Sequence, residues 1–108
     1  GARYANRTQQ RRRSAELRSK LAPLKRESEH WEKQIEFLNR KITDLDAELG
    51  KPEIYEETPA KAQDFAKQRG RLAQKLATAE ESWLETSQKY EKALASVEPE
   101  MTERPKRV

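Results

Sequence analysis

From Leu17 the apolar residues return in alternating steps of four and three: Leu17, Leu21, Leu24, Ser28, Trp31, Ile35, Leu38, Ile42, Leu45 and Leu49, with Ser28 the one polar member. A repeat averaging 3.5 residues keeps one stripe of a helix against a partner and is the coiled-coil signature. A second, rougher run follows at Ala62, Phe65, Arg69, Leu72, Leu76, Ala79, Trp83, Thr86, Tyr90, Ala93 and Val97. At 1.5 Å per residue each run predicts a helix roughly 50 Å long.

Between the runs lies the stretch LGKPEIYEETPAK. Gly50 suits the position just past a helix C-terminus, and Thr58-Pro59 reads as an N-cap followed by proline at the first helical position. The first helix therefore stops and the second starts inside this stretch, with Pro52 between them. The connection is slightly longer than the roughly two to eight residues usual between packed helices. Ile54 and Tyr55 account for the excess if they fold back over the last core layer and keep it dry. The expected fold is all-α: an antiparallel two-helix coiled-coil hairpin with a basic N-terminal helical extension. Its divisions are a basic segment or linker over 1–16, the hairpin over 17–98 with its bend at 50–58, and a flexible tail over 99–108.

A parallel pair of chains is the competing arrangement, because Ile35 and Ile42 at a with Leu24, Leu38 and Leu45 at d match what parallel dimers prefer. The second run favours the hairpin. In one antiparallel register Leu17 meets Val97, Leu24 meets Tyr90, Trp31 meets Trp83, Ile35 meets Ala79, Leu38 meets Leu76, Ile42 meets Leu72 and Leu49 meets Phe65. Large groups then sit beside the small layers Ser28/Thr86 and Ile35/Ala79, which balances volume. A register one heptad shorter sets Leu38 against Arg69. Arg69, at an a position, is expected to snorkel to water. Pro23 removes a helical hydrogen bond and crowds the preceding turn, so a kink or bulge is expected there. Gly70 marks a soft spot in the second helix.

Composition narrows the class. With 33% hydrophobic and 39% charged residues in 108, there is no material for a thick globular core, but Glu, Lys, Arg, Ala, Leu and Gln dominate, as in long helices. Absence of cysteine excludes a disulfide framework, and no apolar run approaches a membrane span. A cytoplasmic, monomeric protein is expected. The N-terminal GARYANRTQQRRR has no apolar stretch of the secretory type, and Met101 is the only methionine, so the chain is expected to be a piece of something longer.

Charge is unevenly placed. Residues 1–26 carry nine Lys/Arg against Glu16, residues 27–98 eleven against sixteen acidic residues, and residues 99–108 three against two, giving +8, −5 and +1. In heptad terms Arg11, Arg18 and Lys25 fall at e and Arg13 and Lys20 at g, positions that normally pair with opposite charge on the partner helix. The flanks facing them offer Ser82, Ser87, Lys89, Leu94 and Ser96, none acidic, while Glu85, Glu91 and Glu98 sit outward. Five flanking cations without internal partners, most of them arginine, suggest an external polyanion. The expected interface is Arg7, Arg11, Arg12, Arg13, Arg18, Lys20, Lys25 and Arg26, gripping nucleic-acid phosphates with little base readout, since Tyr4 is the only aromatic nearby. A solvated charged face is the bland alternative.

Catalytic and cofactor motifs are missing: no phosphate-cradling glycine loop, no dinucleotide fingerprint and no Cys/His cluster, so neither a cofactor nor a metal is expected in this domain. His30 falls outside the seam and reads as a surface residue. Trp31, Trp83 and Tyr90 lie on the seam and read as core.

The bend, preceded by WEKQIEFLNRKITDLDAE and followed by RLAQKLATAEESWLETSQKYEKAL, resembles the C-terminal coiled-coil domain of ABC-F ATPases. In that family the bend is a leucine, a small or acidic residue and then Pro-Glu-Leu-Tyr, with a proline opening the second helix. Here Pro52, Glu53, Tyr55 and Pro59 match and Ile54 replaces the leucine. The upstream RRRSAELRSKLAPLKRE is similar to the basic segment joining the second ATPase domain to the hairpin. The resemblance implies a non-catalytic accessory arm of a tandem ATPase without membrane spans that acts on the ribosome and translation, with ribosomal RNA or DNA and the parent ATPase domains as partners. It implies no ATP site within these residues. A structural or protein-interaction coiled coil remains the other reading.

Overall fold

Among the described residues the computed structural model is all-α. It describes the backbone of residues 2–101 and the side chains of residues 6–96, so Tyr4, Val97 with its expected layer against Leu17, and nearly all of the 99–108 tail lie outside the described residues. Helix α1 spans Ala2–Leu49, α2 spans Pro52–Glu57 and α3 spans Pro59–Met101. Contacts group the chain into a bend unit, His30–Trp83, and a terminal unit, Gly1–Glu29 with Leu84–Val108.

In the bend unit α1 and α3 run antiparallel along the heptad seam. Leu38 and Ala79 are buried, and Trp31, Ile35, Ile42, Leu45, Leu49, Phe65, Leu72 and Leu76 are half-buried. Between Trp31 and Ala47 every α1 residue off the seam is exposed, as the 3.5-residue repeat requires. Two cross-helix side-chain pairs identify the register. Arg69 donates from Nε and Nη2 to the two carboxylate oxygens of Asp46, the second at 3.2 Å, and the Trp83 indole N–H donates to Glu32 Oε1 at 3.2 Å. Both fit Leu45 opposite Arg69 and Trp31 opposite Trp83. One heptad away, Arg69 would face Leu38 and lie about 12 Å of helix rise from Asp46.

Arg69 therefore does not snorkel alone, as its a position suggested. A neighbouring carboxylate, one residue outside the seam on α1, holds its planar fork in a two-point contact. The bridge holds the Asp46 carboxyl below its ordinary value of 3.8, first through the hydrogen bond and then through the opposite charge. A depressed carboxyl stabilises the fold above its unfolded pKa and loses that contribution as pH falls through the folded value. Asp46→Asn is thus expected to lower the melting temperature at pH 7. The gap from the parent chain should hold down to about pH 4 and close below it; thermal melts from pH 7 to pH 2 read this directly. Because both side chains are half-exposed, added salt should narrow the gap as well.

The terminal unit repeats the same pattern. Leu17, Leu21, Leu24 and Ser28 on α1, with Tyr90 and Ala93 on α3, are half-buried, and Thr86 is only 3% exposed. Helix α1 continues through Pro23, so the proline does not end it or divide the basic segment from the seam by a break. Residues 2–16 belong to the same helix.

The bend is more ordered than a loop. Gly50 follows the last helical residue, but its φ is not positive; its N–H still bonds Asp46 O at 2.9 Å, and Lys51 N–H tightens onto Glu48 O at 3.2 Å. Lys51 then turns extended, and Pro52 opens the six-residue α2 at a position where its missing N–H costs nothing. Ile54 is buried and plugs the end of the seam. Tyr55, expected to seal beside it, is instead 53% exposed, and its hydroxyl donates to Leu49 O at 2.6 Å, satisfying a carbonyl that the end of α1 leaves open. Thr58 sits at the start of α3, its carbonyl accepting from Lys61 and Ala62 N–H at 3.0 and 3.2 Å. Its hydroxyl points back to Ile54 O at 3.2 Å, closing α2.

Gly70 lies in the interior of α3, exposed, with nothing within 4 Å of where a methyl group would stand. Gly70→Ala should therefore stabilise the hairpin by up to about 1 kcal/mol through helix propensity alone, measurable as a raised urea midpoint with an unchanged slope.

Candidate nucleic-acid interface

Arg7, Arg11, Arg12, Arg13, Arg18, Lys20, Lys25 and Arg26 all lie on α1 within the terminal unit, and all are exposed. Their positions around the helix differ. Arg11, Arg18 and Lys25 recur every seven residues and Arg7 precedes Arg11 by four, so these four share one face at rises of about 6 and 10.5 Å. Arg13 and Lys20 border the other flank of the seam, where with Glu16, Leu17 and Ser96 they line an open groove of about 200 Å³. Arg12 and Arg26 fall on the side of α1 away from the seam.

Among the described residues no ion pair engages Arg7, Arg11, Arg12, Arg18, Lys20, Lys25 or Arg26. Arg18 donates from Nε to Ser14 O at 3.3 Å, a local bond that leaves its charge uncompensated. Arg13 is different: its side chain is engaged within the chain, so it is left out of the face described below. Ser14 and Glu16 were not anticipated in the site. The first anchors Arg18 and the second places one carboxylate beside Arg13 and Lys20.

The remaining candidates settle elsewhere. His30 is exposed, its ring edge-on to Trp31 at 5.0 Å, and among the described residues no group of acidic or histidine side chains is arranged to hold a metal. No described helix is long and apolar enough to cross a membrane. The bend residues Gly50, Pro52, Ile54, Tyr55, Thr58 and Pro59 shape the tip.

A family model described as the ABC transporter C-terminal domain matches residues 22–88, more than half of the chain. The chain belongs to that family. As an ABC transporter C-terminal domain it is non-catalytic, which agrees with the ABC-family resemblance carried by the bend. The match takes in the whole of the bend but, of the eight cations, only Lys25 and Arg26. No curated protein and no solved structure matches the chain.

Proposed function

We propose that this ABC transporter C-terminal domain is the nucleic-acid-binding arm of an ABC-F type ATPase acting at the ribosome, with ribosomal RNA as its physiological target. The observation that carries this reading is the exposed face of Arg7, Arg11, Arg18 and Lys25, which meets no carboxylate among the described residues. Its mechanism is positioning. Cations fixed on a helix grip a phosphate backbone, displace its counterions and orient the ATPase domains to which the arm is joined, with no chemical step in the arm itself. The link to translation rests on the Pro52-Glu53-Ile54-Tyr55 bend with Pro59 after it. DNA is the competing polyanion, distinguished by contacts to the ribose hydroxyl.

The test is a salt titration. Affinity for a fluorescent duplex RNA, measured by anisotropy between 50 and 300 mM salt, should fall with a log–log slope of about −3 to −4, as four phosphate contacts require. An affinity indifferent to salt would reject the electrostatic reading. The alternative, a structural or protein-interaction coiled coil without nucleic-acid binding, draws its support from the family match, which covers most of the hairpin and omits most of the basic segment.

A further inference from the structure

On one flank of the bend unit, α1 and α3 enclose an open groove of about 450 Å³. Its floor is apolar, made by Phe37, Leu38, Leu72 and Ala79, and Lys41 and Lys75 stand on its rim; no acidic residue lines it. Three features set this flank apart. Lys41 and Lys75 both occupy g positions, which an antiparallel pair brings face to face and which ordinarily carry opposite charges. Neither makes an ion pair among the described residues. Phe37 stands at an outward c position, 46% exposed, where a surface helix ordinarily carries a polar group. The bend unit as a whole has eleven acidic against nine basic residues, so the cationic rim is a local feature.

We infer that this groove seats a short acidic amphipathic helix of a partner protein, its apolar side chains on the Phe37–Leu38–Leu72–Ala79 floor and its carboxylates on Lys41 and Lys75. Docked there, a third helix covers the exposed Phe37 and half-buried Leu72 beside the already buried Leu38 and Ala79, and its acidic groups relieve the facing lysines. The length fits: from Trp31 to Lys41 the groove follows α1 for about 15 Å, close to three helical turns. A nucleobase is the poorer occupant. The Lys41 ammonium already stands over one face of the Phe37 ring, 5.0 Å from its centroid, and competes with a base for that face. None of the terminal-unit cations takes part, so this inference stands or falls separately from nucleic-acid binding.

The test uses the full chain, labelled for NMR, and a synthetic fifteen-residue peptide with leucines along one helical face and glutamates elsewhere. Backbone amides near Phe37, Lys41, Leu72 and Lys75 should shift saturably, together with the indole N–H of Trp31, which lines the groove and has no hydrogen-bond acceptor. The Trp83 indole N–H, bonded to Glu32, should stay in place. Lys41→Glu combined with Lys75→Glu should weaken binding at least about tenfold while the circular dichroism and melting temperature hold. Three results would overturn the inference: no saturable shift up to about 1 mM peptide, equal binding of a peptide with lysines in place of its glutamates, or displacement of the peptide by a single-stranded oligonucleotide that shifts the same signals.

Discussion

Leu38→Ala is expected to lower the free energy of unfolding by about 2–5 kcal/mol, the largest loss from any single truncation along α1. The reason is scarcity. A two-helix coil has one line of core contacts, and among the described residues Leu38 is the only large side chain of α1 with as little as 6% of its surface exposed. Removing its terminal carbons takes away buried apolar area and leaves a void that α3 cannot fill, because the neighbouring layer already contains the small Ala79. Leu84→Ala is the internal comparison. It deletes the same atoms from a residue that is 52% exposed and should change stability by no more than about 0.5 kcal/mol. Urea unfolding followed by circular dichroism reads both. Equal losses at the two positions would mean that the seam is not where burial places it.

The contrast between these leucines shows what periodicity makes legible. Steps of four and three from Leu17 to Leu49 mark out the half-buried and buried stripe of α1, because a helix fixes the direction of each side chain and only one stripe can face a partner. The second run succeeds at its polar members too. Thr86 is buried as a seam residue, and Arg69 is half-buried at its a position.

Pairing was less legible than placement. Arg69 stands on the seam by its spacing, but the partner that holds it there is Asp46, an e-position residue on the other helix, visible only once the register is known. The two tryptophans occupy facing layers, yet one indole N–H meets Glu32 while the other, in Trp31, is buried with no acceptor. No spacing rule separates them. In the same way Arg13 and Arg11 look alike as flanking cations, and only the structure shows Arg13 engaged within the chain.

Helix α2 was hidden for a different reason. Six residues opening on a proline cannot pay for helix nucleation by themselves, so a propensity reading leaves them as a loop. Tertiary contacts supply the difference: Ile54 is buried at the end of the seam, Tyr55 bonds back to Leu49, and Thr58 closes the turn on Ile54. The Ile-Tyr pair was a visible signal, but it did not reveal that the two side chains divide the work, one as an apolar plug and the other as a cap for α1.

Reversing three charges on one face of α1, Arg11→Glu with Arg18→Glu and Lys25→Glu, should nearly abolish RNA binding. Each lost phosphate contact removes about 0.9 from the salt slope, so three removals leave a slope of about −1 or less. Extrapolated from 1 M salt, where the electrostatic contribution vanishes, those contacts are worth roughly three thousandfold in affinity at 50 mM. Arg12→Glu with Arg26→Glu reverses two cations on the side of α1 away from the seam. If a single face makes the contacts, this pair should cost well under half as much on the logarithmic scale, through long-range repulsion that fades as salt shortens the Debye length. Equal losses per charge from both sets would show a diffuse cloud of cations in place of a face. All five residues are exposed and without ion pairs among the described residues, so helicity and melting temperature should hold in both variants. Loss of binding with the fold intact then belongs to the interface itself.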